Sequence, residues 1–430
     1  MRSNYARGVS LALVLVGLAG PAVAQDAGVP SLLPLPPVKT SYPVAQTAAT
    51  DALWSQGVVT PTAGPVSPSP SDQSVMSPAY DQAMTAGWGG CANGACGHRH
   101  YVYANALIMT KEKRGGFVTS IDSTTFQPEV FFCNPGFGDL WHGGVEVGTG
   151  WCFGGGSNAL EVVYWGLYPA DHTALATGSL DSMINFSDVD YNGGPATNST
   201  TGAAIQQVNY GFNFNSVEVN LVGNGCCGGP FGCGMCGCCY GRGGSPWGFG
   251  WVAGFRYISF NEDWLFSSDT TDTSFDGDPT ELNYRVQLDN NLFGFQLGSG
   301  INYCVTDRLS AYAIAKFGVY GNHIEHSQRI YGPAGSGVLN NGPYDGEVYQ
   351  VNASDDDLSF AGQFDVGGRW AINNSWSMNF GYRVLGLTGV AIAEDNVALG
   401  NLQNIDGISD TQTTGSLIMH GGYVGVTYCW

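Results

Sequence analysis

Read backwards from the C-terminus, every second residue is apolar: Trp430, Tyr428, Val426 and Val424. Between them stand Cys429, Thr427, Gly425 and Tyr423, mostly small or weakly polar. Period-two alternation predicts a strand with two different faces. A closing strand that ends on aromatics fits a bacterial outer-membrane β-barrel, in which the last strand pairs with the first and turns one face to lipid. The same alternation recurs upstream, at residues 101–109, 143–151, 160–164 and 217–221. It is clearest at 247–259, where Trp247, Phe249, Trp251, Ala253, Phe255 and Tyr257 alternate with Gly248, Gly250, Gly254 and Arg256. The next run starts with Leu282, Tyr284, Val286 and Leu288 and resumes as Phe293, Phe295, Leu297, Ile301 and Tyr303. Its apolar face therefore changes parity near Asn290, which predicts a β-bulge there. Residues 309–323, 358–370 and 376–387 complete a set of about ten strands, or up to twelve if 115–141 hides another hairpin.

Connection lengths support closure into a barrel. Residues 304–307 and 372–375 read as tight turns, whereas 269–279, 331–356 and 389–414 are long. Alternating short and long connections match short periplasmic turns and long outer loops. Composition agrees: 64 glycines and 12% aromatics accompany only 12% charged residues, about half the usual 25%. No internal stretch is long and apolar enough for a spanning helix. The 15 Lys and Arg against 35 Asp and Glu, a net charge of −20, argue against a nucleic-acid partner.

At the N-terminus Arg2 and Arg7 precede an apolar run, and Ala22-Val23-Ala24 offers a cleavage site before Gln25. Residues 1–24 thus read as a secretory signal peptide. Residues 25–100 form a Pro/Ala/Ser-rich linker, predicted to be disordered, that ends in a Cys/His segment. The barrel is expected over 101–430.

The chain also resembles the beta-barrel porin-7 family of planctomycete outer-membrane proteins. The resemblance rests on the strand Trp-Gly-Phe-Gly-Trp-Val-Ala-Gly-Phe-Arg-Tyr from Trp247 and on Asn-Asn-Leu-Phe-Gly-Phe-Gln-Leu-Gly from Asn290. Gly-Gly-Arg-Trp at 367–370 and the terminal Tyr-Val-Gly-Val-Thr-Tyr-Cys-Trp add to it. Family membership would imply an outer-membrane barrel and a porin, with no catalytic or binding residues carried over.

If the apolar faces meet lipid, the lumen is lined by Glu146, Glu161, Glu218, Arg256, Arg285, Lys316, Asp365, Arg369 and Arg383. Such a balanced set in a narrow interior points to a salt-bridged plug, because unpaired confined charges are costly; the other reading is a selectivity lining for a solute path. Cys226, Cys227, Cys233, Cys236, Cys238 and Cys239 crowd one insert. In an exported chain they read as a disulfide-stapled turn in preference to a metal or redox site. Cys91 and Cys96, beside His98 and His100, could form a four-ligand zinc set, but the spacing fits no common finger and in an exported chain a local disulfide is preferred.

Acidic runs at 269–278, 355–357 and 394–395 lack the pattern of the twelve-residue calcium loop, so a solvated, cation-attracting surface is expected. No catalytic motif is present, and no enzyme, cofactor or metal is predicted. The expected partners are outer-membrane lipid, the barrel-assembly machinery engaging the terminal strand with Tyr428 and Trp430, and small solutes. Two functions follow: a porin passing small solutes, or a non-conducting structural barrel that presents acidic loops at the cell surface.

Overall fold

The computed structural model describes residues 100–112, 116–131, 141–154, 158–223 and 246–430. The predicted signal peptide, the linker up to residue 99, and Cys91, Cys96, Cys226, Cys227, Cys233, Cys236, Cys238 and Cys239 lie outside the described residues. Ten long strands build the wall: β1 (His100–Lys111), β2 (Trp141–Phe153), β3 (Asn158–Ser182), β4 (Ala203–Gly223) and β5 (Trp247–Asp269), then β6 (Leu282–Cys304), β7 (Leu309–Gly332), β8 (Gln350–Ala371), β9 (Trp376–Val390) and β10 (Gly415–Cys429). Each is antiparallel to its sequence neighbours. The ring closes through β1 and β10, from Tyr101↔Cys429 to Lys111↔Met419, and full closure removes the unpaired sheet edges. A transmembrane β-barrel of ten strands results. Among its described residues, the region around 115–141 adds a small hairpin, Val118–Asp122 with Pro128–Phe131, which pairs with the far end of β3 and stays out of the ring. No helix among the described residues is long and apolar enough to cross a membrane.

Three connections of four residues, 154–157, 305–308 and 372–375, lie at one end of the barrel together with His100 and Trp430. This is the turn end. The connections 112–140, 183–202, 270–281, 333–349 and 391–414 lie at the other, the loop end. β4 also ends and β5 begins at the turn end, and residues 224–245 between them lie outside the described residues.

Near the turn end the outward side chains are those expected. Trp247, Phe249, Trp251, Phe255 and Tyr257 on β5, Val217, Val219 and Leu221 on β4, and Phe293, Phe295, Leu297, Ile301 and Tyr303 on β6 are all exposed. On β5 this belt spans 247–257, which matches the roughly 9–11 residues a strand needs to cross a bilayer. Trp247, Tyr303, Trp370, Trp376, Tyr428 and Trp430 cluster at its lower rim, where Trp247 meets Tyr303 and Trp376 meets Tyr428. Aromatic side chains favour such an interface because one end is apolar and the other can stay wet.

The bulge predicted near Asn290 is absent. β6 keeps one register from Leu282↔Ser268 to Tyr303↔Trp247 on one side, and from Asn283↔Tyr331 to Cys304↔Ser310 on the other. The parity change has another cause: the surroundings of the two faces exchange. Beyond the belt, Tyr284, Val286, Leu288 and Leu292 point inward and are buried, while Asn283, Arg285, Gln287 and Asp289 point outward. β4 and β5 do the same, with Val208, Tyr210, Phe212 and Phe214, and Ile258, Phe260, Trp264 and Phe266, all on the inside. Strands β3 to β8 continue well past the belt, at 21 to 25 residues each, whereas β1, β2, β9 and β10 have 12 to 15. The barrel thus rises into a collar on one side only.

The connection 391–414 fills the low side. At Gly389 β9 slips one residue against β10 and adopts φ +75°, where a Cβ would fall 2.5 Å from Leu358 O; glycine suits this position because side chains disfavour that conformation. The chain then turns into the mouth through α1 (Ala393–Asn396) and α2 (Ile405–Ser409).

Candidate functional site: the barrel lumen

Inside the belt the wall is lined by polar and charged side chains with little room to spare. β2 presents glycine inward at 148 and 150, and the rings of Tyr103 and Tyr101 lie flat over them from β1. A Cβ at either position would come within 2.3 Å of those rings. Tyr101 donates to Glu161 Oε2 at 2.6 Å.

The ionic groups join into one chain across the lumen. Asn105 Nδ2 donates to Glu146 Oε1 at 2.7 Å. Arg383 bridges Glu146 Oε2 through Nη1 at 2.5 Å and Asp365 Oδ1 through Nε at 2.6 Å. Gln363 donates to Asp365 Oδ2 at 2.6 Å and accepts from Arg256 Nη1 at 2.9 Å. Arg256 Nε reaches Ser216 Oγ at 2.9 Å and Glu218 Oε1 at 3.5 Å. Glu218 Oε2 also accepts from Lys316 Nζ at 2.8 Å, Asn220 Nδ2 at 2.9 Å and Gln296 Nε2 at 2.8 Å. The Trp165 ring packs against both guanidiniums, with Arg383 5.1 Å and Arg256 5.7 Å from its centroid. Glu218 and Arg256 are each only 1% exposed. Charges so buried persist because each has several partners; losing one partner of such a pair costs about 3–5 kcal/mol.

Eight of the nine predicted lining residues face this lumen: Glu146, Glu161, Glu218, Arg256, Lys316, Asp365, Arg369 and Arg383. Arg369 donates from Nε to Asn379 Oδ1 at 3.1 Å and lies 5.9 Å from the Tyr312 ring. The ninth, Arg285, is on the outer surface of the collar, paired with Asp263. The apolar face of its strand meets lipid only in the belt; beyond the belt that face is the interior, and Arg285 stands on the opposite, outward face. Without Arg285 the lining holds four acids and four bases. Beside Glu161, Lys316 and Arg369 the lumen keeps a polar cavity of about 90 Å³.

A second filling sits above the first. One continuous apolar core runs from Leu107 and Met109 through Trp165, Phe212, Phe260, Trp264, Leu288, Ile324 and Leu385 to Met419. It also takes in Ala391, Ile392, Ala393, Val397 and Leu402 from the 391–414 connection. That connection is hydrogen-bonded to inward residues of three strands. Asn290 donates to Ala391 O at 2.8 Å and accepts from Ala391 N at 3.0 Å. Ala393 N donates to Glu262 Oε2 at 2.6 Å, Gln328 Nε2 to Asn396 O at 2.7 Å, and Ala398 N to Tyr284 OH at 3.2 Å. Lys111 pairs with Glu262 alongside. Burial raises the pKa of the Tyr284 and Tyr349 hydroxyls, which stay neutral donors to Gln328 Oε1 at 2.6 and 2.9 Å.

Sequence reasoning missed Trp165, Gln363, Gln296 and the whole 391–414 insertion. Trp165 shares parity with Glu161 and Gln363 with Asp365, so that signal was present for these two, whereas Gln296 has no charged lining residue on its own strand. Glu394 and Asp395, read as part of an acidic outer loop, lie in the first turn of α1 within the inserted segment. Asp355, Asp356 and Asp357 are on β8, where Asp356 Oδ1 is 2.8 Å from His323 Nδ1 on β7. Tyr428 lies at the rim of the belt on β10, and Trp430 follows that strand, joined to β1 by paired backbone bonds with His100 of 3.2 and 3.0 Å.

The chain is similar in structure to the Escherichia coli outer membrane protease OmpT, at 9% identity and TM-score 0.33, over 77% of this chain and 97% of that one. It is also similar to the Pseudomonas putida toluene transporter TodX, at 9% identity and TM-score 0.26 over 77% and 89%. A third likeness is to Acinetobacter baumannii CarO2, at 13% identity and TM-score 0.22 over 77% and 99%. No curated protein matches in sequence. The family described as "Putative beta barrel porin-7" matches residues 231–416, from before β5 to the start of β10. That stretch contains the motifs beginning at Trp247, Asn290 and Gly367 on which the resemblance to this family rests.

Proposed function

We propose that this protein is an exported outer-membrane barrel of the porin type whose lumen is shut in the form described here. The observation that carries this reading is the pair of fillings stacked inside one wall. The Arg383–Glu146–Asp365 bridge and its extension to Glu218 tie side chains together across the belt. Above it the inserted 391–414 segment belongs to a continuous apolar core. A ten-stranded ring favours closure on general grounds, since barrels of about eight strands are just filled by side chains and open porins have 16–18. With the turn end in the periplasm, the signal peptide leads export, the linker lies in the periplasm and β10 is the strand offered to the assembly machinery. The cysteine-rich 224–245 segment is then a periplasmic, disulfide-stapled insert, and the collar stands outside the cell.

Passive passage of small solutes is the second reading, favoured by the family match and by the polar cavity beside Lys316 and Arg369. Single-channel conductance of the mature chain, refolded into a planar bilayer with its disulfides formed, separates the two. The closed reading expects inserted but silent protein. Discrete, salt-dependent steps from the unmodified chain would sink it and establish the passage instead.

A further inference from the structure

At the loop end β5 finishes on Asp269, and the connection to β6 continues Thr-Thr-Asp-Thr-Ser-Phe-Asp-Gly-Asp to Asp278. Acidic loops are common on solvated surfaces, but this one is folded so that its acids converge. Carboxylate oxygens of Asp269, Asp272 and Asp278 all lie within 4.8 Å of one another. Among the described residues, no Lys, Arg or His ion pair reaches any of the three.

Asp269 distinguishes this cluster from an ordinary acidic surface. Its side chain is 0% exposed. Oδ1 accepts from Thr271 N at 3.0 Å and from Thr280 Oγ1 at 2.9 Å, whereas the buried Oδ2 accepts no hydrogen bond. A buried carboxylate oxygen without a donor is costly unless a positive charge faces it. The rest of the loop is braced by its own bonds. Asp272 Oδ1 accepts from Ser274 N at 2.7 Å, and Glu281 Oε1 accepts from Gly277 N at 2.6 Å and Asp278 N at 3.0 Å.

We propose that Asp269, Asp272 and Asp278 bind one divalent cation of the calcium type and so fix the 270–281 connection at the mouth of the barrel. The donor set is all oxygen, which suits hard cations and not zinc or copper. Calcium tolerates the irregular geometry of a loop, whereas magnesium demands a near-ideal octahedron and sheds its water reluctantly.

The test is isothermal titration of CaCl2 into the full mature chain, refolded in detergent and stripped with a chelator. One saturable site is expected, with a dissociation constant on the order of 0.1–1 mM, as in extracellular calcium modules. Asp269→Asn should weaken it about tenfold or more, and so should the paired Asp272→Asn and Asp278→Asn change, whose residues are partly exposed and safer for folding. Asp276→Asn, an exposed acid outside the set, should change affinity less than about twofold, and MgCl2 should bind about tenfold more weakly than CaCl2. Heat-modified gel mobility verifies that each variant is folded. No saturable heat from the wild-type chain, or wild-type affinity in the folded double variant, would overturn the site. Neither readout depends on whether the barrel conducts.

Discussion

The belt and the collar of this barrel are made by the same strands with the same alternation, yet their chemistry is inverted. On β4 the outward residues are Val217, Val219 and Leu221 in the belt and Asn215, Asn213, Asn209 and Gln207 beyond it. The inward residues change from Asn220, Glu218 and Ser216 to Phe214, Phe212, Tyr210 and Val208. Lipid surrounds the first zone, so greasy side chains go out and polar ones must satisfy each other inside. Water surrounds the second, so the ordinary rule of an apolar interior returns. Strand geometry fixes only that faces alternate; the solvent decides which face is greasy. The two zones are therefore filled by different forces, ionic in one and hydrophobic in the other, and they should fail differently.

The largest effect is expected from the ionic filling. Arg383→Ala leaves Glu146 and Asp365 buried without their shared partner and should lower unfolding free energy by about 3–5 kcal/mol in urea titrations of the refolded barrel. Almost as large is a contrast along one face of β4. Val219→Arg puts a charge into the belt and should cost about 2–4 kcal/mol. Gln207→Arg, on the same face but in the collar, should stay within about 0.5 kcal/mol. Equal losses at the two positions would mean that the boundary is misplaced.

Acid probes the collar's filling. His326 is buried, and burial lowers its pKa from 6.5 to about 4. Gln328 Nε2 donates to His326 Nε2 at 2.9 Å, so that nitrogen is the acceptor of a neutral ring, and Thr411 Oγ1 of the inserted segment lies 3.3 Å from Nδ1. The unfolded chain takes up the proton near pH 6.5 and the folded one only near 4. The stabilising contribution is therefore whole above about pH 6.5 and is lost as pH falls from 6.5 toward 4, to a limit of about 3 kcal/mol. Unfolding measured at pH 7.5 and 4.5 should show this loss, and His326→Asn should flatten it.

Much of this architecture was legible in the sequence because the belt repeats one simple pattern. Trp247 to Tyr257, Phe364 and Val366, and Val424 to Trp430 each alternate without interruption, and the tight turns at 305–308 and 372–375 sort the ends. The ring of ten follows from those strands. The lumen was legible only as far as the same parity held. What the sequence hides is the level at which lipid gives way to water, since Asn290 carries no mark of it except the shift in apolar parity. That shift was read as a backbone irregularity when it was a change of solvent. The 391–414 insertion was hidden for a related reason: Ala391, Ile392, Val397 and Leu402 are too sparse to announce a core until the collar supplies its other half.

Arg285 tests the smallest and sharpest part of the comparison, because it is the residue that the solvent boundary moves from one category to the other. Arg383 and Arg285 are both strand arginines facing a carboxylate, but Arg383 is enclosed and Arg285 is not: the Arg285 and Asp263 side chains are 28% and 39% exposed. The Asp263 carboxylate that Arg285 donates to raises the pKa of its guanidinium, and water and salt screen such a pair. Arg285→Ala should therefore cost less than about 1 kcal/mol, and that loss should shrink further at high salt. The cost of Arg383→Ala should be nearly independent of salt, since ions do not enter a filled lumen. If Arg285→Ala instead cost as much as Arg383→Ala, the outward face of the collar would be buried against something, and the division between belt and collar would have to be redrawn at the level of Asp263.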